Sequence, residues 1–566
     1  MQGTASNVPG VASLTEPNLA SKPSFEPEVN ALPTAEWIAI DRVPGLSRLF
    51  LDHSAAAAAV RPFYPSMAEA GEGLTRPLLP AHWPELVDLL AEQNRLPSAA
   101  PALESLRQGA GVAVTGQQVG LFGGPLYTPL KAATALARAR QATVQGRPHA
   151  AIFWLATEDH DFAEIDHVVF PARRALRKLR YAKAPTTPVP VGNVLLDETI
   201  APLIEEAGEL LGYSDAMTAL EEAYRPGHSF AQAFAEFYSR AFAAQGLLVL
   251  DAGSRAIHRL GAPVLAAALQ RAYELHAALI ERNAQLQAAG YHAQVAVGAN
   301  SSLLFLIDEK TGARQALKRT AATATEPQGL WQAGRQSYST DELLGILASA
   351  PERISPSALL RPVFQDYLLG TSVIVGGPAE IAYFAQSAVL FERILGRVTP
   401  SLARFSATLI EPAMGELLRQ HELTLERIWS LDEPSLAKLL AARAMPVEGK
   451  QLLSSAGSAL QAELDPLLAW MRAVDAGLGQ SGERAASKMR YQMNRLRNLA
   501  ANFELQKEAA LGRHAAALAQ SLAPGGVLQE RVHGAAYYFA RYGFELAEEL
   551  TVQAGVSTAG HSAIWL

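Results

Sequence analysis

The chain has 566 residues, of which 49% are hydrophobic and 18% charged, and a formal net charge of −7. This suits a soluble globular protein of about three or four domains with a large core, and gives no basis for non-specific nucleic-acid binding. There is no cysteine, hence no disulfide framework and no thiolate metal site; no basic-then-apolar leader opens the sequence and no apolar run approaches the ~20 residues of a bilayer span, so a cytoplasmic enzyme with no membrane partner is expected.

Residues 1–32 are rich in Pro, Ser and Ala without a period and read as a disordered tail. From 37 to 100 the pattern is helical, broken repeatedly by proline. The stretch that organises the rest is 111–161. It runs as an apolar strand at 111–115, a glycine-rich loop at 116–125, a helix with Leu126, Leu130, Ala133, Leu136 and Ala137 on one face, and a second apolar strand at 151–156. Strand, loop, helix, strand is a βαβ unit, and such units carry their chemistry at the carboxyl ends of the strands. Both strands end in polar clusters, Thr115-Gly116-Gln117-Gln118 and Thr157-Glu158-Asp159-His160-Asp161, which marks that edge as the active site.

After Phe170 the cations Arg173, Arg174, Arg177, Lys178 and Arg180 crowd together and prolines follow, so 171–240 reads as a first insertion. A strand at 246–250 and a long helical stretch at 263–289 return to the core. A β-patterned second insertion occupies 291–345, with 321–336 as polar loop. The strand at 371–375 runs into Gly376-Gly377-Pro378 and a helix, repeating the Gly123-Gly124-Pro125 arrangement. Proline suits the first helical position, and free N–H groups there attract anions; the bland alternative for each loop is an ordinary tight turn. Residues 412–523 read as an antiparallel, coiled-coil-like helical hairpin. Its seam would be Leu453, Leu460, Leu464, Leu467, Met471 and Val474 against Met489, Met493, Leu496, Ala500 and Phe503, with the turn at Gly477 and Gly479. Lys488, Arg490, Arg495 and Arg497 flank that seam, as a solvated basic face or as a phosphate or carboxylate site. Residues 524–566 return to the core.

The acids and the imidazole of the 157–161 cluster are able to transfer protons or bind a hard metal; the alternative is a helix start capped by acids. Lys131, one turn after Tyr127, either faces a phosphate or is exposed. Arg361 sits in an apolar context, where an arginine has a buried acidic partner or an anionic ligand.

Together TGQQVGLFGGPLYTPLKA, FWLATEDHDFAEIDHV, LLRPVFQDYL, VGGPAEIAYFAQ and GGVLQERV resemble the bacillithiol biosynthesis cysteine-adding enzymes, the BshC family, from about Trp37 to Leu566. The resemblance implies an α/β fold: a Rossmann-like core resembling class I aminoacyl-tRNA synthetases (33–170, 241–290, 346–411 and 524–566), two connecting insertions, and an α-helical coiled-coil domain that forms a homodimer. It implies a ligase that joins L-cysteine to the amino group of glucosaminyl malate, and an adenine nucleotide (ATP or ADP) near the coiled coil. The chain departs from the synthetases themselves: it has neither their His-x-Gly-His motif nor their lysine-serine loop, so their adenylation mechanism does not come with the fold. Within this frame Thr115, Gly116, Gln117, Gln118, Gly123, Gly124, Tyr127, Lys131, Arg361, Gly376, Gly377, Glu380 and Tyr383 are expected to bind substrate. His160 is expected to act as base, oriented by Asp159 or Asp161 beside Glu158, and Lys488, Arg490, Arg495 and Arg497 to meet the nucleotide. Two other readings stay open: a metal-dependent hydrolase or nucleotidyl transferase using the 157–161 edge, and a coiled-coil binding scaffold.

Overall fold

The computed structural model describes residues 35–67, 74–172, 175–320, 330–556 and 560–566. The 1–32 tail, Arg173 and Arg174, and most of the 321–336 loop lie outside them.

Five parallel strands form the central sheet: β1 (Gly111–Gln117), β2 (His149–Leu155), β3 (Leu248–Asp251), β4 (Val373–Gly376) and β5 (Ser401–Ala403). They lie side by side as β5-β4-β1-β2-β3. The chain moves outward from β1 through β2 to β3, then returns to the centre and moves outward the other way. This is the doubly wound Rossmann order, and the reversal between β1 and β4 opens a crevice at their carboxyl ends. The strands are apolar throughout because both faces are covered. Ala113, Phe153, Leu155, Val373 and Val375 enter one core, while Val112, Val114, Ile152, Trp154, Leu248, Leu250 and Ile374 enter the other, as the two-residue period of a strand requires.

Four helices matter for the site: α1 (Tyr127–Val144), α2 (Arg255–Gln270), α3 (Arg361–Leu369) and α4 (Pro378–Leu395). Helix α1 joins β1 to β2 and is buried nearly all round, polar Thr128, Lys131, Thr134 and Arg138 included. The expected helix at 263–289 is two helices, α2 and Ala272–Ala288, meeting at Arg271. The first of them starts earlier than expected because Ser254 accepts the Ile257 N–H and caps it, leaving Pro263 inside.

The first insertion is a hairpin of His167–Pro171 with Leu176–Arg180 followed by three helices. In the second, Leu304–Ile307 pairs with Arg314–Ala316 and also with Ile354–Pro356, which lies past the expected end of the insertion in the stretch read as core. The end of the expected polar loop is instead strand, Trp331–Ala333 and Gln336–Tyr338, because Trp331 and Ala333 alternate inward into the core. The final strand Gly560–Trp565 pairs with Ala35–Ala39 and Ala407–Ile410 in a sheet of its own, and the helix Leu546–Val556 shares a core with α1.

The long hairpin consists of α5 (Val447–Val474) and α6 (Ala476–Lys507). Its turn is at Asp475, whose carboxylate accepts the Leu478 N–H; Gly477 and Gly479 lie inside α6. Gly479 and Gly482 let the helices touch beside the turn, since a Cβ on them would meet Arg472 Cγ at 2.6 Å and Met471 Sδ at 2.7 Å. The buried seam is narrow: Leu464, Leu468 and Ala486, with Leu460 against them. Leu467, Val474, Met489, Leu496 and Phe503, expected in the seam, are exposed. Two helices share only one line of contact, and these side chains form a second apolar stripe that one hairpin leaves uncovered.

Candidate active site

A cavity of about 270 Å³ fills the crevice between the ends of β1 and β4. Gly116, Gln117 and Gln118 come from β1 and its loop, Tyr127 and Lys131 from α1, Arg361 from the start of α3, and Gly377, Glu380 and Tyr383 from the start of α4. Arg404, Glu164 and Arg531 complete the polar lining, so four cations face two acids.

Lys131 spans the switch point. Its Nζ meets Glu380 Oε2 at 2.5 Å and donates to the Gly116 carbonyl at 2.5 Å and to Gln117 Oε1 at 3.0 Å. Burial pushes its pKa down, helped by Arg404 and Arg361 and opposed by Glu380. Glu380 also accepts the Gly377 N–H at 2.8 Å, so one carboxylate ties α1 to the start of α4. Pro378 occupies the first turn of α4, and the next N–H groups, of Ala379 and Glu380, have no carbonyl one turn back. Arg361 lies beside them. Burial works against its charge, but Tyr383, Asp159, Glu158 and Glu380 raise its pKa, so it stays a cation. Among the described residues its guanidinium has neither a hydrogen bond nor an ion-pair partner. By contrast Arg404 is fully engaged: Nη1 donates to Glu530 Oε2 at 3.0 Å and to the Phe405 carbonyl at 2.8 Å, and Nη2 to Glu530 Oε1 at 2.5 Å. Arg361 with the start of α4 is thus the part of the crevice that lacks an anion.

The 157–161 cluster borders this cavity without lining it. Gln118 Nε2 links the two, donating to Asp159 Oδ2 at 3.0 Å and to Glu164 Oε2 at 2.8 Å. Burial would raise the Asp159 pKa, but the His160 contact, Arg361 and Arg314 hold its carboxyl well below the usual range. Glu158 is buried against His258 of α2, with Oε1 2.8 Å from Nε2. His258 Nδ1 faces the carbonyls of Pro351 and Ile354. Burial opposes charge on His258, yet Glu158 and these carbonyls raise its pKa, so the pair is carboxylate and imidazolium. Asp161 is exposed at the start of the short helix Phe162–Ile165 and makes no capping bond. His160 Nδ1 receives a hydrogen bond from Arg314 Nη1 at 3.0 Å. That nitrogen is therefore an acceptor already in use, and Nε2 carries the hydrogen. The base role expected for His160 requires the Arg314 contact to open. The same contact places a cation where a metal would bind, and no group of three or more His, Asp or Glu side chains suited to a metal occurs among the described residues.

Three expected ligand contacts are used by the protein itself. Thr115 Oγ1 donates to the Val375 carbonyl and ties β1 to β4. The Gly123 N–H donates to the Tyr224 hydroxyl, the Gly123 carbonyl accepts from Tyr238, and the Gly124 carbonyl accepts the Ala535 N–H. The two glycine loops are therefore not equivalent. Gly123 has φ +82° and a Cβ there would meet Phe237 at 2.7 Å, so this glycine serves packing against the first insertion. Pro125 precedes the start of α1 instead of occupying its first turn. Of the two glycine loops, Gly376-Gly377-Pro378 is the one whose proline sits in the first turn of the following helix.

The four cations expected to meet a nucleotide do not converge. Arg490 donates to Gln461 and Arg497 to Asn494 of its own helix, while Lys488, Arg495 and Arg497 are exposed. None of the cavities described above is lined by them.

Sequence reading missed Arg404, Glu530, Arg531, Arg314 and His258. The signal for Arg404 was available: like Arg361, it is a lone arginine in an apolar context, here directly after a strand. Glu530 and Arg531 lie in the GGVLQERV motif, but nothing local reveals that this turn returns to the crevice.

Residues 40–404 match the family described as "Bacillithiol biosynthesis BshC, N-terminal Rossmann-like domain". Residues 407–566 match "Bacillithiol biosynthesis BshC, C-terminal coiled-coil domain". A Koribacter versatilis protein named "Putative cysteine ligase BshC" is 40% identical over 529 residues, covering 92% of this chain and 98% of its own. Relatives of the same name from Solibacter usitatus and Geobacillus kaustophilus are 34% and 30% identical, over 81% and 85% of this chain and 85% and 90% of theirs.

Proposed function

Because the chain belongs to the bacillithiol biosynthesis BshC family, we propose that it is a ligase that joins L-cysteine to the amino group of glucosaminyl malate. The observation that carries this reading beyond the family is the unpaired Arg361 guanidinium beside the start of α4, inside a crevice where cations outnumber acids. The malate carboxylates suit it: a planar guanidinium offers a carboxylate two parallel hydrogen bonds, and the Ala379 and Glu380 N–H groups supply more. Gln117, Tyr127 and Tyr383 then face the sugar with neutral donors and acceptors.

Amide formation needs the sugar ammonium to lose its proton before nitrogen attacks the cysteine carboxyl carbon, and one carboxyl oxygen must then leave, as water or on an activating group. Asp159 is held ionised too firmly to accept that proton well. His160 remains the acceptor we favour on this edge, with Nδ1 becoming free when Arg314 is drawn off. An adenine nucleotide is an expectation that comes with the family, and no step is assigned to it. The exposed apolar stripe of the hairpin supports a homodimer through the coiled coil. Among the described residues no helix is long and apolar enough to cross a membrane.

The test is a thiol profile of the source cell with this gene deleted. Bacillithiol should disappear and glucosaminyl malate accumulate; unchanged bacillithiol refutes the assignment.

A further inference from the structure

A second cavity of about 320 Å³ lies behind the first, and the two share Pro378, Arg404 and Arg531 in their linings. Helix α1 reaches both. Lys131 and Arg138 are seven residues apart, two turns on one helical face, with Thr134 between them; Lys131 lines the first cavity, Thr134 and Arg138 the second. Across from Arg138 the lining includes His53, from the helix Arg48–Ser54.

The charges here do not balance. Arg404 is neutralised by Glu530, which also lines this cavity. Arg138 is 6% exposed and has no acidic partner among the described residues. Its Nη1 donates to neutral Gln141 at 2.6 Å, and its Nε has no acceptor. His53 is 3% exposed; its Nε2 meets Ser401 Oγ at 3.0 Å and its Nδ1 has no partner. A buried guanidinium with no counter-charge is costly, and a buried N–H with no acceptor adds to that cost. Arg138 and His53 line one cavity from separate elements and each holds an unsatisfied nitrogen, which an anion would satisfy once the side chains turn toward it. Burial alone depresses the pKa of Arg138, as it must where no carboxylate stands nearby.

We propose that this second cavity is an anion-binding site that takes a phosphate or carboxylate group of a small metabolite between Arg138 and His53. It is separate from the Arg361 crevice and does not depend on the ligase reading.

The experiment is calorimetry on the full chain at constant ionic strength, with inorganic phosphate in one arm and malonate in the other to distinguish the two anion chemistries. Saturable binding is expected in at least one arm. Because Arg361 is itself expected to bind carboxylates, both arms are run in the Arg361→Leu background, where saturable binding should persist and a further Arg138→Gln should weaken it by roughly 10- to 100-fold, the range for losing a charged hydrogen bond. No saturable binding of either anion to Arg361→Leu, or a double variant with Arg138→Gln that binds like Arg361→Leu alone, would each overturn the proposal. If Arg138→Gln does not fold, wild-type crystals soaked in selenate decide: an anomalous peak within hydrogen-bond reach of Arg138 Nε supports the site, and a peak only beside Arg361, or none, refutes it.

Discussion

Replacing Arg361 by leucine separates a binding arginine from a structural one, because the two roles predict different effects on the free protein. In the unliganded chain the guanidinium has no hydrogen-bond or ion-pair partner among the described residues, and burial works against its charge. Leucine breaks no hydrogen bond or ion pair but forgoes the attraction of Asp159, Glu158 and Glu380, which outweighs burial for this charge, so the melting temperature of the free protein should hold or fall slightly. Ligand binding should fall far more. A hydrogen bond to a charged group contributes about 1.5–3 kcal/mol, and at about 1.4 kcal/mol per tenfold the loss of a guanidinium–carboxylate contact weakens binding by roughly 10- to 150-fold. Arg361→Lys keeps the charge but not the fork, and should fall between. Calorimetry with glucosaminyl malate and with malate alone reads the binding, and thermal unfolding reads the free protein. If Arg361→Leu lowers the melting temperature markedly and leaves malate binding intact, Arg361 is structural and the reasoning about the crevice is wrong.

Stability should peak near pH 6.5. The pKa of His258 is raised in the fold by Glu158 and two carbonyls, against burial, so its contribution is complete below about 6.5 and is lost as pH rises through the raised value; His258→Gln should flatten that limb of a pH series of unfolding midpoints. His53, His533 and His561 are each pushed down to about 4, chiefly by burial, so the unfolded chain takes up their protons first. Each then costs roughly 3 kcal/mol as pH falls from about 6.5 to about 4, and a flat stability profile over that range would contradict their buried, neutral state. Glu530→Gln leaves the buried Arg404 cation without its carboxylate and should destabilise by about 3–5 kcal/mol; denaturation within 1 kcal/mol of wild type, on the order of an exposed pair, would mean the pair is not buried in solution. Deleting 447–507 should convert a dimer to a monomer by light scattering, and a dimer of undiminished strength would remove the hairpin from that role. His160→Asn should abolish bacillithiol in a complemented deletion strain while the melting temperature barely moves; restored thiol levels would make the 157–161 edge structural.

The parts of this molecule legible from sequence are those decided by local pattern. The apolar runs at β1, β2 and β4 must be covered on both faces, and the polar residues that follow them must lie at the sheet's carboxyl edge, so Gln117, Gln118 and Gly377 lie where the crevice is. Two glycine loops with the same letters were not distinguishable, because what separates them is non-local: Tyr224 and Tyr238, about a hundred residues on, occupy the Gly123 backbone, while nothing occupies the helix start after Gly377. The hairpin seam failed for a related reason. Helical spacing shows that a side chain belongs to an apolar stripe, but not whether the stripe faces its own partner helix or the outside.

The same limit explains the cations. Lys131 read as exposed or phosphate-facing, Arg361 as paired or ligand-bound, and Arg404 drew no attention. The fold gives Lys131 to Glu380 and Arg404 to Glu530, leaving Arg361 and Arg138 without an ion-pair partner among the described residues. Each pairing joins residues more than a hundred positions apart, so no window of sequence contains both members. What the sequence does contain is the excess: an arginine in an apolar helix is affordable only if something distant neutralises it. Where the fold supplies no ion-pair partner, the remaining source of neutralisation is a ligand. That inference places one anion at Arg361 and a second at Arg138, and substituting each arginine in turn tests the two positions independently.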